Sequence, residues 1–211
     1  MANFYDSSRD ASIMHHPVGL EGNIRIFASA VESDMLEAPF LHRSVHDKNR
    51  LYMIQIGDKM PDFEVMDQNG KLVSSKDLIG RKTIIYFYPK DNTSGCTEEA
   101  CNLRDNYQAM IAKGYNVIGV SKDSAASHKK FADKYQLPFT LLADTSTDMI
   151  QTFGAWGEKS LYGKKYMGTL RMTFIFDEDG ILTEIIEKVN TKNHAEQILP
   201  DIKQGNVEYE S

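Results

Sequence analysis

Cysteine is scarce in this sequence, with two residues, Cys96 and Cys101, among 211. So few thiols exclude a small disulfide-stapled secreted scaffold and a zinc site built from four thiolates. No apolar run approaches the roughly 20 residues that a membrane helix requires, and residues 1–20 lack the apolar stretch of an export signal. We therefore expect a cytoplasmic protein with no membrane partner, in which a disulfide would be transient and catalytic.

An excess of positive charge is also lacking. The chain carries 24 basic and 30 acidic residues, for a net charge of -6, which argues against nucleic acid as a partner. The sequence also has no glycine-rich phosphate-binding loop and no recognisable Ser-His-Asp catalytic arrangement. Hydrophobic residues make up 41% of the chain, enough for a globular core and too many for a disordered protein.

The strength of the hydrophobic periodicity divides the chain. Periodicity is weak over residues 1–54, whereas a regular alternation of elements begins near Gly57. We predict an amino-terminal extension of unknown role at 1–54, a single domain at 55–205 and a short carboxy-terminal tail at 206–211.

The predicted domain belongs to the α/β class. A hairpin over Phe63–Val73 precedes a βαβ unit, in which strands at Thr83–Tyr88 and Val117–Val120 flank a helix over Ser94–Ala112. A helix, a strand, a hairpin and a closing helix follow at 124–135, 139–143, 172–186 and 192–203. A βαβ half followed by a ββα half predicts a thioredoxin-like fold, a mixed central sheet flanked by helices.

The two cysteines occupy different faces of the predicted helix. Cys96 lies in the first turn, near free backbone N–H groups, and heads an apolar stripe that recurs every three or four residues. Cys101 lies off that stripe, beside the polar Asp105 and Gln108. We therefore expect one thiol to face the core and the other to face solvent.

A nucleophilic Cys96 would need a cation. An ordinary thiol has a pKa of about 8.5, and lowering it to ~6 requires about 3.4 kcal/mol. A helix terminus supplies at most ~2 kcal/mol, and the neighbouring Glu98 and Glu99 oppose ionisation. Arg104 lies ~12 Å further along the helix, so the cation must come from elsewhere in the fold.

A disulfide between the cysteines would require the helix to open. Five residues of helix separate the two Cα atoms by roughly 8.7 Å, whereas a disulfide needs ~4.4–6.8 Å. Oxidation would therefore be coupled to local unwinding. The C-x4-C spacing alone does not distinguish a catalytic pair from two ordinary thiols.

The segment around the cysteines resembles a known family. Residues 88–101, Tyr-Pro-Lys-Asp-Asn-Thr-Ser-Gly-Cys-Thr-Glu-Glu-Ala-Cys, are similar to the active-site segment of peroxiredoxins of the AhpC/TSA superfamily. The similarity is greatest to the bacterioferritin-comigratory-protein or peroxiredoxin Q subfamily. The family pattern Pro-x3-Thr-x2-Cys falls on Pro89, Thr93 and Cys96, and the second cysteine of the subfamily falls on Cys101. Three later segments also resemble the subfamily, at 154–159, 162–168 and 171–177.

The resemblance covers about residues 57–203 and implies an atypical 2-Cys peroxiredoxin, a thiol peroxidase with no metal or organic cofactor. Cys96 would be the peroxidatic cysteine, whose thiolate attacks a peroxide oxygen and becomes a sulfenic acid. Cys101 would resolve it to an intramolecular disulfide, which thioredoxin or a similar dithiol reduces. The implied substrates are hydrogen peroxide and organic hydroperoxides, and the expected state is a monomer or a weak homodimer.

The resemblance also implies roles for residues around the thiol. Arg171 would be the cation that stabilises the thiolate and orients the peroxide, and Glu99 would orient Arg171. Thr93 would hydrogen-bond the bound peroxide or the thiolate, and Pro89 would shield the site from water. The subfamily often has proline where Ser94 stands here, a difference that removes no catalytic group.

Two other functions are compatible with the cysteine pattern. A thioredoxin-like disulfide reductase would favour C-x-x-C over C-x4-C. A redox-switched binding protein or holdase would use the oxidation-driven unwinding to expose a partner surface. Outside the cysteine segment, we expect His194 to lie at the surface, where the closing helix begins.

Overall fold

The computed structural model describes residues 54–161 and 163–201. The predicted extension, apart from residue 54, and the predicted tail at 206–211 lie outside the described residues, so the domain boundaries stay predictions. The strands in chain order are Glu64–Met66 (β1), Leu72–Ser74 (β2), Lys82–Phe87 (β3), Tyr115–Ser121 (β4), Thr140–Ala143 (β5), Trp156–Leu161 (β6), Lys164–Thr169 (β7), Met172–Phe176 (β8) and Leu182–Ile186 (β9).

Helices connect the strands, and a short 3-10 helix at Ser75–Leu78 follows β2. The α-helices are Ser94–Asp105 (α1), Tyr107–Ala112 (α2), Ala125–Tyr135 (α3), Asp148–Thr152 (α4) and His194–Ile198 (α5). No helix in the described ranges is long and apolar enough to cross a membrane.

The central sheet has five strands in the order β5-β4-β3-β8-β9. Strands β3, β4 and β5 are parallel, whereas β8 runs antiparallel to β3 and β9 runs antiparallel to β8. This mixed sheet is the predicted thioredoxin-like arrangement. Its middle strand, β3, is a continuous run of β-branched and aromatic residues because both of its faces are buried.

Each face of the sheet supports its own hydrophobic cluster. On one face, Ile84 and Tyr86 of β3 pack with residues of α1, α2, α3 and α5, including Cys96. On the other face, Ile85 and Phe87 pack with α4 and with residues near the β1–β2 hairpin. The cysteine helix therefore lies on the sheet face that carries most of the helices.

Two predicted helices are shorter in the structure than in the sequence analysis. The helix over Ser94–Ala112 is interrupted at Asn106, whose side chain donates to the carbonyl of Asn102 at 2.9 Å and so competes with the helical backbone. The closing helix begins at His194 and ends at Ile198. It ends there because Leu199, the residue before Pro200, leaves the helical conformation (φ -131, ψ 88).

The 3-10 helix at Ser75–Leu78, the β6–β7 hairpin and α4 were not predicted. The antiparallel hairpin of β6 and β7 forms a separate two-stranded sheet, and α4 precedes it. Strand β7 exposes four consecutive residues before two buried ones, so it lacks the alternation that identifies a strand from sequence. The hairpin matters for the site because its end leads directly into Arg171 and β8.

Candidate active site

The candidate site forms where β3 ends and α1 begins. Asn92 has a positive φ of 57° in the connecting loop, which turns the chain sharply toward the helix. Thr93 takes the N-cap position with an extended backbone, but its hydroxyl donates to the carbonyl of Lys90 at 3.0 Å instead of capping the helix. The amino-terminal turn of α1, with its free N–H groups, is thus presented to the site.

The two cysteines lie as the helical pattern predicted. Cys96 is buried in the first turn, with 2% of its surface exposed, whereas Cys101 is partly exposed on the other flank of α1. Both thiols are free. Because α1 is continuous from Ser94 to Asp105, the two sulfur atoms belong to one intact helix.

Arg171 provides a cation at the buried thiol. It lies immediately before β8, and its Nη2 donates to the Sγ atom of Cys96 at 3.2 Å. Its Nη1 forms an ion pair with Oε2 of Glu99. Burial alone would lower the pKa of Arg171, but the negative charges of Glu99 and Cys96 outweigh burial and raise it above the ordinary value.

Glu99 connects Arg171 to His194. Glu99 is fully buried, and its Oε1 lies 3.2 Å from Nδ1 of His194. Nε2 of His194 lies 2.9 Å from the Thr173 hydroxyl. The expectation that His194 lies at the surface is wrong, because α5 packs its first residue against α1 and β8 and leaves none of it exposed.

Pro89 and Thr93 lie in the segment that leads from β3 to α1. Thr93 is exposed beside the first turn of α1, and Pro89 is half-buried just after β3. Arg171 contacts the thiol directly, and Glu99 contacts Arg171.

A second cation lies near the thiol on the hairpin. Nζ of Lys159 in β6 donates to the carbonyl of Thr169 at 3.0 Å. Burial and the charge of Arg171 lower the pKa of Lys159, while the negative charge of Cys96 opposes that shift. Lys159 is therefore a second cation whose charge interacts with that of Cys96, besides the direct contact from Arg171.

Sequence reasoning missed a buried polar cluster below the loop. The Asp91 carboxylate accepts hydrogen bonds from Tyr88 Oη at 2.7 Å and Ser127 Oγ at 2.7 Å, and lies 3.0 Å from His128 Nδ1. The other ring nitrogen, Nε2, lies 3.1 Å from the carbonyl of Leu142. Burial would raise the pKa of Asp91, but the bonds from His128 and Ser127 prevail and lower it.

A signal for this cluster was present in the sequence. His128 shares the apolar stripe of α3 with Phe131 and Ala132, three and four residues later, and all three are buried. A histidine on such a stripe needs a buried partner. Asp91, three residues after the buried Tyr88, is that partner.

Comparison with known proteins identifies the family. The model of the AhpC/TSA family matches residues 56–185. The chain belongs to the AhpC/TSA family. A putative peroxiredoxin bcp of Coxiella burnetii is 42% identical over 146 residues, which span 69% of this chain and 97% of that protein. Peroxiredoxin Bcp of Bacillus subtilis is 41% identical over 71% of this chain and 96% of that protein.

Solved structures of AhpC/TSA proteins agree with this assignment. The bacterioferritin comigratory protein of Xanthomonas campestris, studied for its alkyl peroxide reduction activity, superposes with a TM-score of 0.62 at 30% identity. The match covers 65% of this chain and 88% of that one. Peroxidoxin BcpB of Mycobacterium tuberculosis gives the same TM-score at 30% identity, over 70% of this chain and 95% of its own.

The family and its named relatives establish the class of reaction. This AhpC/TSA protein is a thiol-dependent peroxidase, a peroxiredoxin of the Bcp or peroxiredoxin Q type. Its substrates are peroxides and its reductant is a thiol. The comparisons do not favour the disulfide reductase or the redox-switched holdase.

Proposed function

We propose that Cys96 is the peroxidatic cysteine and that it reduces hydrogen peroxide and organic hydroperoxides. The observation that carries the proposal is the 3.2 Å contact between Cys96 Sγ and Arg171 Nη2. A guanidinium at that distance favours the thiolate, which is the nucleophilic form. The alkyl peroxide reduction activity of the Xanthomonas campestris relative supports the inclusion of organic hydroperoxides.

In the proposed first step, the Cys96 thiolate attacks the terminal oxygen of the peroxide. A sulfur–oxygen bond forms as the oxygen–oxygen bond breaks, and the leaving oxygen takes up a proton and departs as water or an alcohol. Cys96 is thereby oxidised to a sulfenic acid. Arg171 would stabilise the charge shared by the sulfur and the two oxygens in the transition state, and Glu99 would hold Arg171 in place.

Two residues at the border of the site complete the proposed peroxide pocket. Thr93 already has its hydroxyl at the N-cap of α1, and a turn away from the Lys90 carbonyl would direct it to the peroxide or the thiolate. Pro89 has no N–H group to attract water. We propose that it shields the thiolate from solvent.

We assign the resolving role to Cys101. Its thiolate would attack the Cys96 sulfenic sulfur, so that a disulfide forms and the hydroxyl leaves as water after taking up a proton. A dithiol, for which we propose thioredoxin, would then reduce the disulfide and restore both thiols. Because α1 holds the cysteines roughly 8.7 Å apart at their Cα atoms, this step requires the helix to unwind.

We expect unwinding to break contacts that α1 makes with the first turn of α5 and with the segment before it. The Asn102 side chain bridges the carbonyl of Lys192 and the N–H of Ala195, each at 2.8 Å. The Thr191 hydroxyl donates to Glu98 at 2.5 Å. These bonds stabilise the reduced helix, so the disulfide form is expected to be less stable to unfolding around residues 94–105 than the dithiol form.

We also propose that the domain at 55–205 acts in the cytoplasm as a monomer or a weak homodimer. Sedimentation of the reduced protein over a range of concentrations tests the oligomeric state. A tight oligomer at micromolar concentration would contradict this part of the proposal.

The decisive experiment is thioredoxin-coupled consumption of hydrogen peroxide by the wild type, Cys96→Ser and Cys101→Ser. We expect turnover by the wild type and none by Cys96→Ser. Cys101→Ser should reduce one equivalent of peroxide and then recycle poorly with thioredoxin. Turnover by Cys96→Ser would disprove the peroxidatic assignment, and full turnover by Cys101→Ser would disprove the resolving one.

A further inference from the structure

A buried histidine lies behind the arginine of the site. We propose that His194 is a positioning residue for peroxide reduction, which holds Glu99 so that the Arg171 guanidinium faces the Cys96 sulfur. The inference rests on the proposed peroxidatic role of Cys96.

A continuous series of contacts connects His194 to the thiol. Its Nε2 lies 2.9 Å from the Thr173 hydroxyl, and its Nδ1 lies 3.2 Å from Oε1 of Glu99. The other carboxylate oxygen of Glu99 pairs with Nη1 of Arg171, whose Nη2 donates to Cys96 Sγ at 3.2 Å. Arg171 therefore uses one amino group for the carboxylate and the other for the sulfur.

Burial makes this series sensitive to each member. Thr173, His194 and Glu99 have no exposed surface, and the Arg171 side chain is 22% exposed. Since water does not reach the inner members, the orientation of the Glu99 carboxylate depends on the two groups beside its oxygens. Arg171 restrains one oxygen, and His194 is the neighbour of the other.

Two side chains contact the His194 ring, and a hydrogen bond of the next residue fixes the backbone beside it. Thr173 approaches it from β8, and the Tyr86 ring of β3 lies edge-on to it, with 6.1 Å between ring centroids. The next residue, Ala195, is bonded through its N–H to the Asn102 side chain of α1. An imidazole fixed in this way can restrain a carboxylate, which a mobile surface side chain cannot do.

The contact between His194 and Glu99 is close but not aligned. Within the described part of the chain, Nδ1 of His194 and Oε1 of Glu99 have no well-directed hydrogen-bond partner, although 3.2 Å separates them. Catalytic hydrogen bonds in unliganded sites are often misaligned and tighten in the reacting complex. We infer that this contact tightens when charge develops between Cys96 and the peroxide.

Three substitutions distinguish a positioning role of His194 from a role in packing alone. In His194→Asn the amide nitrogen can replace Nδ1 toward Glu99, whereas in His194→Gln it can replace Nε2 toward Thr173. His194→Leu keeps the bulk of the ring and offers neither nitrogen. All three are made in the Cys101→Ser background, so that Cys96 is the only thiol.

Two rates are measured for Cys96 in each variant. Sulfenic acid formation with hydrogen peroxide, trapped by dimedone and quantified by mass spectrometry, reports the reaction itself. Alkylation by iodoacetamide, which needs no peroxide, reports the amount and access of the thiolate. A loosened structure would expose Cys96 and speed its alkylation, whereas a displaced Arg171 would slow both reactions.

We expect His194→Leu and His194→Gln to slow sulfenic acid formation ~10–100-fold, the usual effect of losing a supporting group around a reactive centre. His194→Asn should stay within about threefold of the parent, because it keeps the contact with Glu99. Equal impairment of Asn and Gln would overturn the proposal, as would an unimpaired, folded His194→Leu protein. If the parent itself forms no sulfenic acid, it is the proposed function that fails.

Discussion

Two buried histidine–carboxylate pairs flank the candidate site, and they differ in how completely their atoms are bonded. In the Asp91–His128 pair, three side chains surround the carboxylate and both ring nitrogens face acceptor oxygens. In the Glu99–His194 pair, the facing oxygen and nitrogen lie 3.2 Å apart without alignment. The facing atoms of the Asp91–His128 pair therefore all have hydrogen-bond partners, which makes this pair saturated, whereas those of the Glu99–His194 pair do not.

The difference indicates that the two pairs have different roles, one in stability and one in reactivity. A buried charge that is fully bonded stabilises one geometry and has no capacity left for a ligand. The Asp91–His128 pair is of this kind, and it anchors the loop that carries Pro89 and Thr93. Glu99 instead directs one oxygen at Arg171, whose other amino group donates to the sulfur of Cys96, the proposed nucleophile. We therefore expect changes at the first pair to reduce stability and changes at the second to reduce reactivity.

The largest expected effect is that of Arg171→Lys. A lysine has one amino group and cannot contact Cys96 and Glu99 with two separate donors, as the planar guanidinium does. We expect the second-order rate of sulfenic acid formation to fall by ~100-fold or more, the effect of losing one preorganised donor. Rapid-mixing kinetics with hydrogen peroxide measure it.

Lys159→Arg is the matched control for Arg171→Lys. It keeps a positive charge on the hairpin and should change the rate by less than about threefold, because Lys159 bonds a backbone carbonyl and not the thiol. If Arg171→Lys reacts as fast as the wild type, the double contact of Arg171 with Cys96 and Glu99 does not activate the thiol. The proposed role of the Glu99–His194 pair in reactivity would then be wrong.

The largest effect on stability, as distinct from reactivity, is expected from Asp91→Asn. This change removes the negative charge opposite His128 and leaves a buried ring without its anion. Breaking a buried pair costs about 3–5 kcal/mol in the free energy of unfolding. Urea denaturation measures the loss, and the folded protein should still form sulfenic acid at close to the wild-type rate.

A smaller change at the same pair calibrates that result. Ser127→Ala removes one of the hydrogen bonds to the Asp91 carboxylate and should cost about 1.5–3 kcal/mol. A large loss of peroxide reactivity in Asp91→Asn with no loss of stability would contradict the distinction, because the saturated pair would then belong to the reacting centre.

These two pairs also mark the limit of what the sequence predicts. The mixed α/β sheet, the helix at Cys96, the burial of Cys96 and the partial exposure of Cys101 on another flank follow from local periodicity, and the structure agrees with them. The free energy needed to ionise the thiol also predicted a cation from elsewhere in the fold. The identity of Arg171 came only from the family resemblance, since 75 residues separate it from Cys96 and no periodicity connects residues so far apart.

His194 shows why the remainder was missed. It was expected at the surface because it falls in the first turn of the closing helix predicted at 192–203, whereas in the structure it is the first residue of the five-residue helix α5. Its burial is a tertiary effect that arises when α5 packs on α1. The β6–β7 hairpin was missed for a related reason, since its strands pair with each other outside the main sheet.

The pH dependence of the free energy of unfolding should distinguish Asp91 from a second buried carboxylate, that of Asp144. Because the pKa of Asp91 is lowered from 3.8 in the folded protein, folding favours its ionised form. The stability that it contributes is therefore complete above its ordinary pKa and is lost as the pH falls through the folded value. The advantage of the wild type over Asp91→Asn should stay constant from about pH 7 to about pH 5 and shrink as the pH falls below about 4.

Asp144→Asn is the opposite case. Burial raises the pKa of Asp144 despite hydrogen bonds from the backbone of Ile150 and Met149, so folding favours its neutral form. The stability of the wild type relative to Asp144→Asn should therefore grow as the pH falls and decline as the pH rises through the folded value. Urea denaturation at a series of pH values measures both trends, and parallel trends would contradict the assigned directions.

The smallest effect is expected from Gly95→Ala, which adds one methyl group beside the guanidinium. A Cβ there would lie 3.5 Å from Arg171 Nη2 and 3.9 Å from Thr191 Cγ2, both ordinary contacts. Alanine also suits the first turn of α1 better than glycine, by at most ~1 kcal/mol. We expect a change of less than about threefold in peroxide reactivity, whereas Gly95→Leu should displace the guanidinium and slow the reaction. If alanine slows the reaction as much as leucine does, the space around Arg171 is tighter than the structure indicates. Packing would then restrain the Glu99–His194 pair as firmly as hydrogen bonds restrain the Asp91–His128 pair.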